Sequence, residues 1–501
     1  MTADVCVLVE GTYPYVSGGV SNWIHSLIGN LPQFTFSVVY LGSRPEQQRE
    51  LVYTLPENVI EFRELFIHDT NWTRYKHPPR HDPALWSALR EYHHAQAAGS
   101  GSSHTDISRQ LCAHIPGASS SFDLFFAPQS WDMIVDLYSA HAAHCSFVDY
   151  FWTFRFTHLP ILYLLEVDIP RARVYHAISA GYNALLGGLA KIRTGAPLLL
   201  TEHGIYTRER EIEIAQLDWI QGQQQSGHAV SAMPGYFHRW WVDMFRYLTT
   251  FSYDLSDRVI SITEANQHYQ LQNGADPEKM MVIPNGIDIE RLSMVRAESR
   301  GTTDRFVVGF VGRVVGIKDL KTFIRAIKIA SAVIPDLVTY IVGPEGEDPE
   351  YATQCHQLVE TLGLSDTIEF TGPRDVCDYY RLIDVLVLTS LSEAQPLVIL
   401  EANCAGIPVI ATDVGACREL LLGITAEDQA LGASGLITPP AHPQATADAL
   451  IRLWRDGSLR AHMSRAGQER VRRFYRQETL YAAYEDLYQR YMYVSPTPSE
   501  R

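Results

Sequence analysis

Four charged side chains in the second half of the chain stand at spacings that could do chemistry. Arg313 and Lys318 follow a short β-branched run in FVGRVVGIKDL, together with Gly312 and Gly316. Two cations at the carboxyl end of a strand are costly to place in a crevice unless an anion meets them. A phosphate-bearing ligand is one reading, and a pair of solvated surface charges is the other. Further on, Glu393 and Glu401 bracket seven residues in SEAQPLVILEANCAG. Pro396 fits the first helical position, so a helix is expected to start just after Glu393, with its body over 397–406. Helical side chains lean toward the N-terminus, so Glu401, about one turn in, reaches back toward whatever that end holds. A carboxylate pair there could bind sugar hydroxyls.

The loop TYPYVSGGVSNW offers a second anion-compatible feature near the start of the chain. Between a strand and a helix, backbone N–H groups and the positive helix end face an incoming ligand, and Gly18 and Gly19 carry no Cβ to block its approach. The spacing is not G-x-G-x-x-G, so the dinucleotide fingerprint is absent and a plain strand-helix turn is the alternative. Two aromatic segments, Phe151, Trp152, Phe154 and Phe156, and Trp240, Trp241, Phe245 and Tyr247, are expected in the core, with an acceptor groove or a partner surface as the alternative.

These residues need elements to hold them. VCVLV reads as a buried strand, Val20 to Leu31 repeats at helical spacing, and FSVVYLG supplies the next strand. PLLLTEHG and DRVISIT look like further parallel strands. MVIPNGID closes a strand in a Pro-Asn-Gly turn, and Ile289 to Arg305 reads as a linker. Strand and helix alternate again from Phe306 to PVIATD, and the chain turns helical after Gly435. Alternation of this kind implies parallel sheets with helices on both faces. The boundaries expected are 1–290 for an N-terminal Rossmann-like domain with an insertion at about 45–170, 291–477 for a second, and 478–501 for a C-terminal helix. Ala97 to Thr105 is Gly/Ser-rich, as a flexible insertion would be.

Composition narrows the classes. A chain of 501 residues exceeds what one hydrophobic core supports. With 46% hydrophobic and 20% charged residues, it is expected to fold and not to be a polytopic membrane protein. The formal charge of −16 argues against coating nucleic acid or an anionic membrane, so any phosphate must be held locally. Seven scattered cysteines without a C-x-x-C pair suit a reducing cytosol and indicate no zinc site. Neither a signal peptide nor a membrane span is expected.

The ordered set GR…K, then E-x7-E, preceded by PNGID and TEHG, resembles the retaining glycosyltransferases of the GT-B fold, family 4. The resemblance implies two doubly wound domains facing across a cleft, with the last helix crossing back to the first domain. It implies transfer of a hexose from a UDP-sugar to a growing exopolysaccharide in the cytoplasm, with an inner-membrane polysaccharide synthase complex as a partner and no nucleic acid. Arg313 and Lys318 would clamp the diphosphate and stabilise the leaving group. Glu393 would orient the transferred sugar against the amides of Ala394 and Gln395, the amide of Leu397 would assist at the helix start, and Glu401 would accept from the ribose hydroxyls. The family more often has Gly-Phe-Gly where this chain has Ala394-Gln395-Pro396. Gly18 and Gly19 would approach donor phosphate or acceptor, and His203 would touch the transferred sugar. Arg374 lies near the backbone groups of FTGPRD that would read the base. No D-x-D pair stands in a donor-like position and two cations serve the diphosphate, so no metal and no other cofactor is expected. The alternatives are a catalytically silent nucleotide-sugar-binding scaffold and another GT-B enzyme such as a sugar phosphorylase.

Overall fold

The computed structural model describes residues 2–16, 18–45, 50–68, 83–97, 104–114, 125–215, 235–297 and 305–493. Seven strands make the first sheet: β1 (Ala3–Glu10), β2 (Phe36–Gly42), β3 (Val59–Phe66), β4 (Ala172–Ala177), β5 (Leu198–Glu202), β6 (Arg258–Ser261) and β7 (Met280–Val282). They run in the order β3-β2-β1-β4-β5-β6-β7, and neighbouring strands are parallel. The second sheet holds β8 (Val307–Val311), β9 (Val338–Val342), β10 (Ile368–Gly372), β11 (Val385–Leu388), β12 (Val409–Thr412) and β13 (Gly435–Thr438). Its order is β10-β9-β8-β11-β12-β13, again with parallel neighbours. In each sheet the strand order reverses beside the first strand, the switch-point topology of a Rossmann-like domain. The apolar runs that read as strands do so because both faces of these sheets are covered: all seven residues of β2 are buried.

The chain divides into two compact units. The first comprises Met1–Ser261, Gln267–Val282 and Tyr484–Arg501; the second comprises Ile262–Asn266 and Ile283–Ala483. In the first unit the described residues of the stretch at about 45–170 are mostly helical, with Pro83–Ala97, His104–His114, Pro128–His141 and Phe147–Leu164 packed on the core around Tyr150, Phe154 and Leu137. Within Ala97 to Thr105, residues 98–103 lie outside those described. The helix Gln477–Met492 sends Tyr484 and Tyr488 into the first unit's core: Tyr488 Oη lies 2.7 Å from His176 Nδ1, and Tyr484 Oη 2.9 Å from Thr201 Oγ1.

Three expectations need correction. The linker at 289–305 is in part a helix, Ile289–Ala297, whose Ile289, Leu292 and Val295 are buried in the second unit; its apolar spacing was masked by the four arginines and two glutamates of that stretch. Pro396 is the N-cap of the helix Leu397–Cys404, not its first residue, because its ψ of 107° is extended. The first aromatic segment is not wholly core. Phe154 is buried, but Trp152 and Phe156 are 43% and 46% exposed, because positions 152 and 156 share the outer face of their helix. No helix among the described residues is long and apolar enough to cross a membrane, and all seven cysteines are free.

Candidate functional site

In the second unit, the residues singled out by chemistry gather where β8 and β11 end. The turn Gly316–Lys318 leads into the helix Leu320–Ser331, and Asp319 caps that helix by accepting from the Thr322 amide at 3.2 Å. Strand β11 runs on into Thr389 and Ser390, which fasten the two loops together. Thr389 Oγ1 donates to the carbonyls of Lys318 and Asp319 at 3.1 and 3.0 Å, and the Leu391 amide donates to the Ile317 carbonyl at 2.8 Å. The consequence is that Lys318 Nζ donates to Glu393 Oε1 at 2.5 Å, with side-chain exposures of only 18% and 10%. Ser390 Oγ donates to the same Glu393 oxygen at 2.6 Å and is itself held through its carbonyl, which accepts from Thr412 Oγ1.

The loop after Glu393 is fixed on its far side. The Ala394 carbonyl accepts from the Ala416 amide at 2.9 Å, and Gln395 Oε1 accepts from the Asn285 amide at 2.8 Å. Gly415 has a φ of +50°, and a Cβ there would run into the Glu393 carbonyl oxygen, so only glycine lets these two backbones meet. Glu401, half-buried on the helix opened by Leu397, accepts from Tyr380 Oη at 2.8 Å. Burial raises its carboxyl above the usual range, against the opposing pull of Tyr380 and of Arg291.

Arg313 is exposed and pairs with both oxygens of Glu347, at 2.5 and 2.6 Å. The anions that meet the two cations are therefore carboxylates of this chain, Glu347 and Glu393. Arg374 is exposed just past β10. Among the described residues no group of three or more His, Cys, Asp or Glu side chains gathers as metal ligands.

The remaining predicted residues lie in the first unit, at the carboxyl ends of β1 and β5. Gly18 and Gly19 open the helix Gly19–Gly29; both are exposed, and a Cβ on either would meet nothing within 4 Å. The fold itself does not require glycine at either position. His203 follows β5, its imidazole pushed down to about 4 by burial, and its ring meets Trp23 edge to face at 4.5 Å. The preceding Glu202 is fully buried and accepts from Tyr253 Oη at 2.6 Å and Gln270 Nε2 at 2.9 Å, so it anchors the strand end.

Sequence reasoning missed Ser390, Tyr380, Asn285 and Glu347. Only Asn285 carried a signal, since it belongs to the PNGID turn; the other three are single residues on elements whose contacts no local spacing encodes.

Residues 3–278 match the family described as Domain of unknown function (DUF3492), and residues 295–470 match Glycosyl transferases group 1. The D-inositol 3-phosphate glycosyltransferase 2 of Catenulispora acidiphila is 32% identical over 211 residues, 37% of this chain and 49% of its own length. The D-inositol 3-phosphate glycosyltransferase of Streptomyces bingchenggensis is 31% identical over 238 residues, 44% of this chain and 50% of its own. The chain thus spans about half the length of these curated relatives. Among solved structures, sucrose-phosphate synthase from Thermosynechococcus elongatus is similar with a TM-score of 0.60 at 16% identity, covering 98% of this chain and 99% of that one. Anabaena Alr3699/HepE in complex with UDP and glucose is similar with a TM-score of 0.56 at 15% identity, covering 97% and 99%. At such identities the likeness is one of fold: α/β, with two parallel-sheet Rossmann-like domains of the GT-B kind.

Proposed function

The chain belongs to the family described as Domain of unknown function (DUF3492) and carries a group 1 glycosyl transferase domain behind that region, and from this we propose a retaining, metal-independent hexosyltransferase that uses a UDP-sugar. The observation that carries the reading is the Lys318–Glu393 pair, held at 2.5 Å with little exposure. Enclosing such a pair contributes little net stability, because desolvation of both ions offsets most of their attraction. A pair kept in that position by Ser390 and Thr389 is better explained by a ligand that uses both charges.

On this reading Lys318 and Arg313 turn from carboxylate partners to the donor diphosphate, where negative charge grows as the glycosidic bond breaks. Glu393 faces the transferred sugar, whose ring gains positive charge in the same step. The bond between the anomeric carbon and phosphate breaks, the acceptor oxygen bonds on the same face, and the departing diphosphate takes the acceptor's proton. No covalent enzyme intermediate is needed. Glu401 accepts from the ribose hydroxyls, Leu397 lends its amide at the helix start, and Arg374 stands near the base. Gly18 and Gly19, which the fold does not require, leave room for substrate. The likeness in fold to Alr3699/HepE, which was solved with UDP and glucose bound, supports a uridine donor.

The opening EGTYPYVSGGVSNW is similar to that of PelF, the glycosyltransferase of Pel exopolysaccharide synthesis in biofilms. It supports a polysaccharide acceptor, cytoplasmic action and recruitment to an inner-membrane synthase complex. A screen of UDP-, GDP- and ADP-sugars for release of free nucleotide tests the activity, and NMR of the product's anomeric configuration tests retention. Release from a UDP-hexose with an unchanged anomer is expected. Binding without turnover would favour a silent scaffold instead.

A further inference from the structure

The second sheet repeats the strand order of the first, yet the two differ at one connection. Residues 373–384 join β10 to β11, whereas residues 67–171 join β3 to β4 at the matching place. A doubly wound domain therefore closes without the helices Pro128–His141 and Phe147–Leu164, and these two present an apolar surface to solvent. Trp131 is 51% exposed and Val148 59%, and Trp152 and Phe156 are exposed as well. The rings touch in a line: the centroids of Trp131 and Phe151 lie 5.9 Å apart, those of Phe151 and Trp152 5.8 Å, and those of Trp152 and Phe156 5.9 Å. Single exposed apolar residues are ordinary, but a contiguous run of large ones marks a surface that another molecule covers.

Shape and charge say what kind of molecule that is. Val148, Trp152 and Phe156 stand at i, i+4 and i+8, a straight ridge about 12 Å long, with Trp131 reaching it from the neighbouring helix. That is the length over which one helix lays two turns of apolar side chains along another. The rim is acidic. The helix Pro128–His141 carries Asp132 and Asp136 and no lysine or arginine, and the helix Phe147–Leu164 sets Asp149 against Arg155. Asp136 pairs with Arg90, but Asp132 and Asp149 are exposed and no cation pairs with either among the described residues. Arg155 is engaged by Trp152, its guanidinium carbon 4.8 Å from the ring centroid.

These charges separate the possible occupants. An anionic bilayer is repelled by Asp132, Asp149 and a chain of net charge −16. In a two-fold pair of copies the same carboxylates would border both halves of the contact. A glycan stacks on open ring faces, and Arg155 already covers one face of Trp152. We infer that this surface docks a basic amphipathic helix of a partner protein, with its apolar side chains on Trp131, Trp152 and Phe156 and its lysines or arginines on Asp132 and Asp149. The inference stands on the surface alone and holds whether or not the chain turns over a UDP-sugar.

The probe is a fluorescein-labelled synthetic helix of leucine and lysine, about 18 residues long, with a leucine and glutamate helix of the same pattern as its control. Fluorescence anisotropy with the full chain is expected to show the lysine helix bound at least about tenfold more tightly than the glutamate helix. Trp152→Ser/Phe156→Ser should weaken the lysine helix by at least about tenfold, with melting temperature and nucleotide release unchanged. Asp132→Lys/Asp149→Lys should move the preference toward the glutamate helix. If wild type and Trp152→Ser/Phe156→Ser bind the lysine helix equally, the attraction belongs to the net charge of the chain and the inference falls. It falls too if wild type binds neither peptide or both alike. Cosedimentation with phosphatidylglycerol and phosphatidylethanolamine vesicles, or a dimer in sedimentation velocity, that Trp152→Ser/Phe156→Ser abolishes would assign the surface to a membrane or to a second copy and overturn it. Should the double variant unfold, Val148→Lys, which sets a cation at one end of the ridge, is read against the same outcomes.

Discussion

Removing Lys318 separates the two things its pairing with Glu393 could be for. Breaking an ion pair that is fully buried costs roughly 3–5 kcal/mol, because a charge is left alone in a poor solvent. Here both partners keep some exposure, 18% and 10%, and Ser390 remains bonded to the carboxylate, so Lys318→Ala should cost about 2 kcal/mol. In a unit of this size that lowers its melting temperature by about 4–8 °C. Neutralising the stranded carboxylate in Lys318→Ala/Glu393→Gln should return most of that loss. Catalysis should behave otherwise: losing one preorganised donor to the leaving group costs about 10²–10³ in kcat, and the double variant cannot recover it. Thermal unfolding followed by calorimetry, together with nucleotide release from the best donor, reads both quantities on the same preparations. If the double variant regained turnover along with melting temperature, to within about tenfold of wild type, the pair would be structural and its leaving-group role wrong.

Glu401→Gln should raise KM and weaken UDP binding, because a ribose contact is uniform between ground and transition states, whereas Glu393→Gln should lower kcat and leave UDP affinity unchanged; the opposite pattern in calorimetry and steady-state kinetics would exchange their roles. Treatment with EDTA followed by desalting should leave turnover within about twofold of the untreated enzyme, and an activity lost with EDTA and restored by Mg²⁺ or Mn²⁺ would overturn the metal-free account. Burial pushes His176 down to about 3. It is therefore neutral in both states above about pH 6.5, and below that the unfolded chain alone gains the proton, so stability falls with pH by up to about 5 kcal/mol by pH 3. His176→Asn should unfold more easily at pH 7 yet lose about 1.4 kcal/mol per pH unit less between pH 6 and 4, as read by denaturant titration; an unchanged slope would mean that His176 titrates normally.

The two-sheet architecture was legible because buried parallel strands write themselves as continuous apolar runs, as VCVLV and FSVVYLG do. Strands β3 and β4 escaped notice for physical reasons. β3 lies at the sheet edge, so VIEFRELF alternates charge with apolar residues, and the run of β4 is broken by Arg173, which pairs with Asp4, by Tyr175, which donates to the Pro170 carbonyl, and by His176, whose ring pairs with Tyr488 of the C-terminal helix and Thr201 of β5. In the site, Lys318 and Glu393 were visible as charges at strand ends. What the sequence could not disclose was that they face each other, since 75 positions separate them and Thr389 closes the distance through two carbonyl contacts. Arg313 was legible as a cation but not as the partner of Glu347, whose loop after β9 has no pattern of its own.

The glycine at 415 shows how a residue distant in sequence from the loop after Glu393 can govern which variants of that loop are viable. Its missing side chain is the space occupied by the Glu393 carbonyl, and its left-handed backbone is one that alanine rarely adopts. Libraries built by randomising only residues 393–397 would explore sequences on a backbone whose shape is set 22 positions away. Any recombinant that imports this loop from a relative needs to import the segment around 415 with it.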